Sequence, residues 1–181
     1  GIPCIYYGTE QHFNGADQRS DADDYSDVVL RECMFGGPFG SFQSVGSHFF
    51  NENHETYRFI RRLTALRSSR IALRRGRQYL RQVSPDGAHF YYPEMVAGEL
   101  RWVIAWSRLF ADSECLCAIN TADHDLLMWI TLDHATHRGA GELLCLLSTD
   151  IEQQGQRIPV EARNGSAIRV RVPAFGFVVY E

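Results

Sequence analysis

The sequence predicts an α+β chain: a short strand of the parallel-sheet kind and one long helix, followed by an antiparallel all-β sandwich. Three observations carry this. The opening residues Gly1-Ile2-Pro3-Cys4-Ile5-Tyr6-Tyr7-Gly8-Thr9-Glu10 form an Ile- and Tyr-rich run fenced by Pro3 and Gly8, the pattern of a strand buried on both faces. Tyr57, Ile60, Leu63 and Leu66 recur at helical spacing. Beyond Gly76 the apolar period falls to two, and short runs alternate with Gly, Pro, Asn and Asp, which is the cadence of a sandwich.

A strand buried on both faces needs neighbouring strands and covering helices. Only one segment, around residues 53 to 69, reads as a long helix of that kind. The chain therefore looks like the tail end of something larger. Between Gly8 and Asn51 lies a long polar connection, dense in Asp and Ser over Gly15 to Asp27 and rich in Gly and Phe over Gly36 to Gly46. Connections this long without regular structure are usually functional or disordered. Asn51 and Asn53 then offer helix caps, and the apolar stripe runs along an otherwise Arg-rich helix that ends near Ser68-Ser69.

Strands are expected at Gln78 to Val83, His89 to Tyr92, Leu100 to Ser107, Cys115 to Asn120, Leu126 to Leu132, Leu143 to Leu147, Arg157 to Glu161, Ala167 to Val172 and Phe175 to Tyr180. Pro85-Asp86-Gly87, Ala111-Asp112-Ser113, Gly139-Ala140-Gly141, Asn164-Gly165 and Pro173 punctuate them. The boundary falls near Gly76, giving parts 1–76 and 77–181 with no repeat and no low-complexity linker.

The net charge of -4 gives no case for nucleic acid. All 18 basic residues are Arg, and the densest runs, Arg61-Arg62 to Arg67 and Arg70 to Arg81, are interleaved with Leu, Ala and Tyr, as on a solvated face with interdomain pairing. No stretch approaches the roughly 18 apolar residues that span a bilayer, so no membrane partner is expected. Cys4, Cys33, Cys115, Cys117 and Cys145 are an odd set without framework spacing and read as buried free thiols. That favours a reducing, cytoplasmic compartment. No signal peptide is present, but the chain starts inside a motif without an initiating Met, so export stays open.

Gly1-x-Pro3-x-x-Tyr6-Tyr7-Gly8-x-Glu10, extended by Gln11 and the later Arg31-Glu32-x-Met34-Phe35, resembles the last barrel strand of the alpha-amylase family, glycoside hydrolase family 13. The helix Tyr57 to Arg70 and its exit through Leu66-Arg67 and Leu73-Arg74-Arg75-Gly76 resemble the family's final barrel helix and its passage into the C-terminal domain. The resemblance implies an α+β fragment: the last strand, long loop and last helix of a (β/α)8 TIM barrel over 1–76, then an all-β antiparallel Greek-key sandwich over 77–181. It implies the C-terminal portion of an alpha-amylase-type glycoside hydrolase acting on alpha-glucans, through a retaining double displacement. In that family the nucleophile, the acid/base and the transition-state-stabilising Asp lie on strands upstream of Gly1. No catalytic residue is therefore assigned here, and the chain alone is expected to be inactive. No cofactor is implied for these residues, and any calcium belongs to the upstream part.

Carboxylates are plentiful in the long connection, but glycoside hydrolysis needs two at a defined separation, and abundance is not a site. Glu10 follows the strand at the end where a barrel places its working residues, which makes it a substrate-binding candidate. The same position suits a carboxylate that holds the loop in shape. Asp27-x-x-x-Arg31 places two partners on one face of a helical turn, with a guanidinium fork suited to sugar hydroxyls. It resembles a pair that lines a donor subsite in several amylase-family enzymes, so Asp27 and Arg31 become glucan-binding candidates; an ordinary helical ion pair is the competing reading.

Asp21-Ala22-Asp23-Asp24 lacks the Gly and the distant bidentate Glu of a calcium loop, and His134-x-x-His137 with His124 and Asp133 reads as surface histidines on a strand end. Neither is assigned a metal. Trp102 and Trp106, with Ile104 between them, are expected to fill the sandwich, and Phe35, Phe39, Phe42, Phe49 and Phe50 to pack on an absent part of the barrel. Two alternatives stay open. Transglycosylation uses the same fold and intermediate, and the sandwich alone could serve a non-enzymatic carbohydrate-binding or interaction protein. An isolated copy is expected to self-associate through the free edge of its first strand.

Overall fold

The computed structural model describes residues 3–12, 50–96, 98–100 and 103–181. Asp27, Arg31, Cys33 and Trp102 lie outside them, as do Phe35, Phe39, Phe42 and Phe49. The chain divides into two compact units, Gly1–Ala65 and Leu66–Glu181.

In the first unit the apolar run does not form the expected strand. Residues 3–6 pair with no strand among the described residues, and Cys4, Ile5, Tyr6 and Tyr7 are exposed. A strand is defined by its neighbours, and this one has none here. The glycine turn does form: Gly8 takes φ 86° and leads into a 3-10 turn, Thr9–Gln11, at a backbone angle that glycine adopts without penalty. Helix α1, Glu55–Ser69, starts one residue after His54. The imidazole Nδ1 of His54 accepts from the Thr56 N–H at 3.3 Å, the role expected of Asn51 or Asn53. Asn51 instead accepts from Asn53 N–H at 2.9 Å in the turn before the helix. Tyr57, Ile60, Leu63 and Leu66 are half-buried as one stripe, and none of the helix's residues is fully buried.

The second unit takes in the last turn of α1 and then the short helix α2, Ile71–Arg75. Among the described residues eleven strands follow: β1 Arg77–Arg81, β2 Val83–Ser84, β3 Met95–Val96, β4 Glu99–Leu100, β5 Ile104–Phe110, β6 Ser113–Ile119, β7 Leu126–Thr131, β8 Glu142–Ser148, β9 Arg157–Pro159, β10 Ala167–Val172 and β11 Phe177–Tyr180. They make a six-stranded sheet in the order β1-β5-β6-β11-β8-β9, a three-stranded sheet β10-β7-β2 and the hairpin β3-β4. Every pairing is antiparallel.

One core joins the two larger sheets. Ala105, Leu116, Ala118, Leu143, Cys145, Val178 and Tyr180 come from the first, and Val83, Met128, Ile130, Ile168, Val170 and Val172 from the second. Alternation explains the choice, because residues two apart on a strand share a face. The same rule corrects the expectation for Trp106. Val103, Ala105 and Ser107 are buried in the inward phase, so Trp106 points to the outer face of its sheet and is half-buried. That outer face also carries Cys115 and Cys117 and is covered by α2, whose Ala72 is 1% exposed. The covering is close: a Cβ on Gly76 would lie 2.4 Å from the Ala72 carbonyl oxygen and 2.9 Å from that of Leu109.

Two other expectations differ. Residues 89–92 contribute a single bridge, Val83 to Tyr91, rather than a strand. His134–His137 is a helical turn, α3, capped by Asp133 Oδ1 accepting from the Thr136 N–H at 3.0 Å.

Candidate functional site

The first unit holds a cleft of about 390 Å³ between the apolar run and α1. Tyr6, Tyr7 and Tyr57 form its aromatic walls, with Ile5 and Ile60, and its polar groups are Glu10, Arg61 and Thr64. Glu10 is there because the turn after Gly8 brings the chain round as a 3-10 helix, leaving Glu10 half-buried. Tyr57 is held by Phe50, whose ring meets it edge-on at 5.3 Å. A carboxylate, a guanidinium and phenolic rings together can bond hydroxyls and stack on an apolar ring face. Glycoside hydrolysis needs a second carboxylate across the scissile bond; among the described residues the lining has one.

Beside Glu10 stands a residue whose role the sequence did not disclose. Gln11 is 1% exposed. Its Oε1 accepts from the Asn51 N–H at 2.9 Å, and its Nε2 donates to the Asn51 carbonyl at 3.2 Å. His12 reinforces the join through Nε2 against Thr56 Oγ1 and an edge-on contact with His54, ring centres 4.7 Å apart. The two ends of the segment between residues 12 and 50 are thus fastened together next to Glu10. Asp27 and Arg31 belong to that segment, outside the described residues.

In the second unit the inner row of β6 runs Glu114, Leu116, Ala118 and on to Asn120, with a polar group closing each end. Glu114 is 2% exposed. It accepts from Arg81 Nη2 at 3.0 Å, from Ser107 Oγ and from the Asp133 N–H at 3.0 Å, and His137 Nε2 lies 2.9 Å from its Oε2. Burial pushes the Glu114 carboxyl upward, but the nearby His137 ring, the bonds from Ser107 and the Asp133 N–H, and the Arg81 guanidinium outweigh it, and the net direction is below the usual carboxylate range. His137 is therefore turned inward on α3, while His124 and His134 are exposed as expected. The overlooked signal was a Glu in the same period-two phase as Leu116 and Ala118. This is a structural plug with no open face for substrate.

Cys115, Cys117 and Cys145 are buried free thiols, whereas Cys4 is exposed. Burial raises Cys115 and Cys117 to about 12. Among the described residues no group of three or more His, Cys, Asp and Glu side chains could hold a metal, and no helix is long and apolar enough to cross a membrane.

No protein-family model matches the chain. It is 26% identical over 180 residues to a cyclomaltodextrinase of Geobacillus thermopakistaniensis, a match covering 99% of this chain and 23% of that protein. Among solved structures it is similar to a cyclomaltodextrin glucanotransferase with a three-domain ABC distribution, with a TM-score of 0.59 and 20% identity over 99% of this chain and 29% of that one. The chain thus spans about a quarter of the length of these two proteins. Its mostly β architecture with few helices is similar to that of C-terminal domains in such enzymes. The resemblance read from the motifs is to the alpha-amylase family, glycoside hydrolase family 13, and the similarities found here are to enzymes of that family, each matched over a minor part of its length.

Proposed function

We propose that the chain is the C-terminal portion of an alpha-amylase-type glycoside hydrolase acting on alpha-glucans by a retaining mechanism. The carrying observation is the similarity, along 99% of this chain, to 23% of a cyclomaltodextrinase. A polar, aromatic-walled cleft at Glu10 supports it, as does the fastening of the following segment at its base. In this reading residues 1–76 supply the last strand, active-face loop and last helix of the barrel, and 77–181 form the packing domain. The acid, nucleophile and stabilising carboxylate lie upstream. Glu10, Asp27 and Arg31 contact glucan, with Arg31 bonding sugar hydroxyls at a subsite remote from the cleaved bond. Hydrolysis and transfer to a sugar acceptor share this framework, and product analysis separates them.

The test is Arg31→Ala in the complete enzyme, compared on maltodextrins of increasing length. A charge-assisted hydrogen bond contributes about 1.5 to 3 kcal/mol, available only to substrates long enough to reach it. The expected result is a roughly 10-fold or greater fall in kcat/KM on long oligomers with little loss on the shortest productive one. No loss at any length returns Arg31 to an ion pair with Asp27.

A further inference from the structure

At the Asn120 end of the sandwich, one exposed aromatic sits where turn geometry disfavours it. In Pro173-Ala174-Phe175-Gly176 the Gly176 N–H closes a turn on the Pro173 carbonyl at 2.9 Å. Phe175, its third residue, has φ 45°, a position where turns favour Gly or Asn. Its side chain is 74% exposed, so burial does not offset the strain. The strain is held in place from beneath. Asn120 is 3% exposed, and its Nδ2 reaches the carbonyls of His124 at 2.8 Å and of Val172 and Pro173 at 3.1 Å. Its N–H donates to Gly176 at 2.8 Å, and the Phe175 N–H donates to Ala122 at 2.9 Å. Strained residues fixed this firmly concentrate at ligand-binding positions.

A charged pair is tied to the backbone of the same turn. Asp125 accepts from the Ala174 N–H at 3.0 Å and from Arg171 Nη1 at 2.6 Å, and Arg171 Nη2 donates to Asp150. Arg171 and Asp125 are nonetheless 40% and 48% exposed at their side chains. A guanidinium has five N–H donors, so two bonds leave others for a ligand. A pyranose offers an apolar C–H face to a ring and hydroxyls to such a pair.

We propose that Phe175, Arg171 and Asp125 form an alpha-glucan-binding surface on the sandwich, with the ring of Phe175 as its stacking platform. The inference rests on the alpha-glucan reading above and assigns the second unit a binding role of its own. It is tested on the 181-residue chain by electrophoresis through gels containing amylopectin or, as a control, hydroxyethylcellulose. The parent chain and Phe175→Tyr should be retarded by amylopectin alone. Phe175→Asn removes the ring while tolerating the left-handed backbone; it should lose affinity by about 10-fold or more and melt no lower than the parent. Equal retardation of parent and Phe175→Asn overturns the surface but leaves the alpha-glucan reading to its own test with Arg31→Ala. No retardation of the parent also overturns it. A Phe175→Asn chain that changes in sedimentation and not in retardation overturns it in favour of an interface between copies.

Discussion

Gln11 and Asn51 are joined by two hydrogen bonds, Asn51 N–H to Gln11 Oε1 at 2.9 Å and Gln11 Nε2 to the Asn51 carbonyl at 3.2 Å. A side-chain amide thereby pairs with a backbone peptide as a neighbouring strand would, and it fixes where the chain returns to start α1. Gln11→Ala should leave the Asn51 N–H without its acceptor, at about 1 to 3 kcal/mol. Hydrogen exchange at the Asn51 amide should quicken by roughly 10-fold or more. An unchanged exchange rate would show that the join does not depend on this side chain.

Acid sensitivity should come from Glu114. Its folded carboxyl is held below the usual range, so the stability it contributes is full above the unfolded value, about 4.3, and is lost as pH falls through the lowered folded value. Glu114→Gln leaves the Arg81 guanidinium facing a neutral amide in a buried site, which costs about 3 kcal/mol at neutral pH and lowers Tm by about 10 °C. The difference from the parent should narrow as pH falls below about 4.3. Parallel Tm curves for parent and variant across that range would rule out a charged Glu114 as the source.

Thiol reactivity should divide by burial. The thiolate is the reacting form, and Cys115 and Cys117 are raised to about 12 by burial first, with Cys145 raised in the same direction for the same first cause. Iodoacetamide at neutral pH should modify Cys4 in the native chain and leave these three untouched until denaturant is added. Site-resolved mass spectrometry reads the outcome, and early labelling at Cys115 would contradict the covering of that sheet face by α2.

Much of the sandwich was legible in the sequence because a half-buried strand writes its face into alternate residues. Leu126 to Leu132, Leu143 to Leu147 and Ala167 to Val172 became β7, β8 and β10 within a residue or two. Two large aromatics at period two suggest an inward Trp106, but the smaller Val103 and Ala105 are the side chains that face the core. Residues 3–7 carry the composition of a buried strand, but burial is a property of neighbours, and those residues are exposed here. At the candidate site Glu10 was legible as the residue after a glycine turn. The Gln11 clamp was not, since its partner is a backbone peptide 40 residues away, and a peptide group leaves no mark on side-chain pattern. The apolar run starts the last strand at Phe175, whereas β11 begins at Phe177.

The central claim, that this chain belongs to a retaining alpha-glucan enzyme, is tested most directly by following the complete enzyme's action on maltoheptaose by proton NMR. Two displacements at one anomeric carbon conserve its configuration. The account predicts that the first reducing ends to appear are α, with β forming only later by mutarotation. First-formed β product, or no turnover of maltoheptaose and cyclomaltodextrins by the folded enzyme, would contradict it.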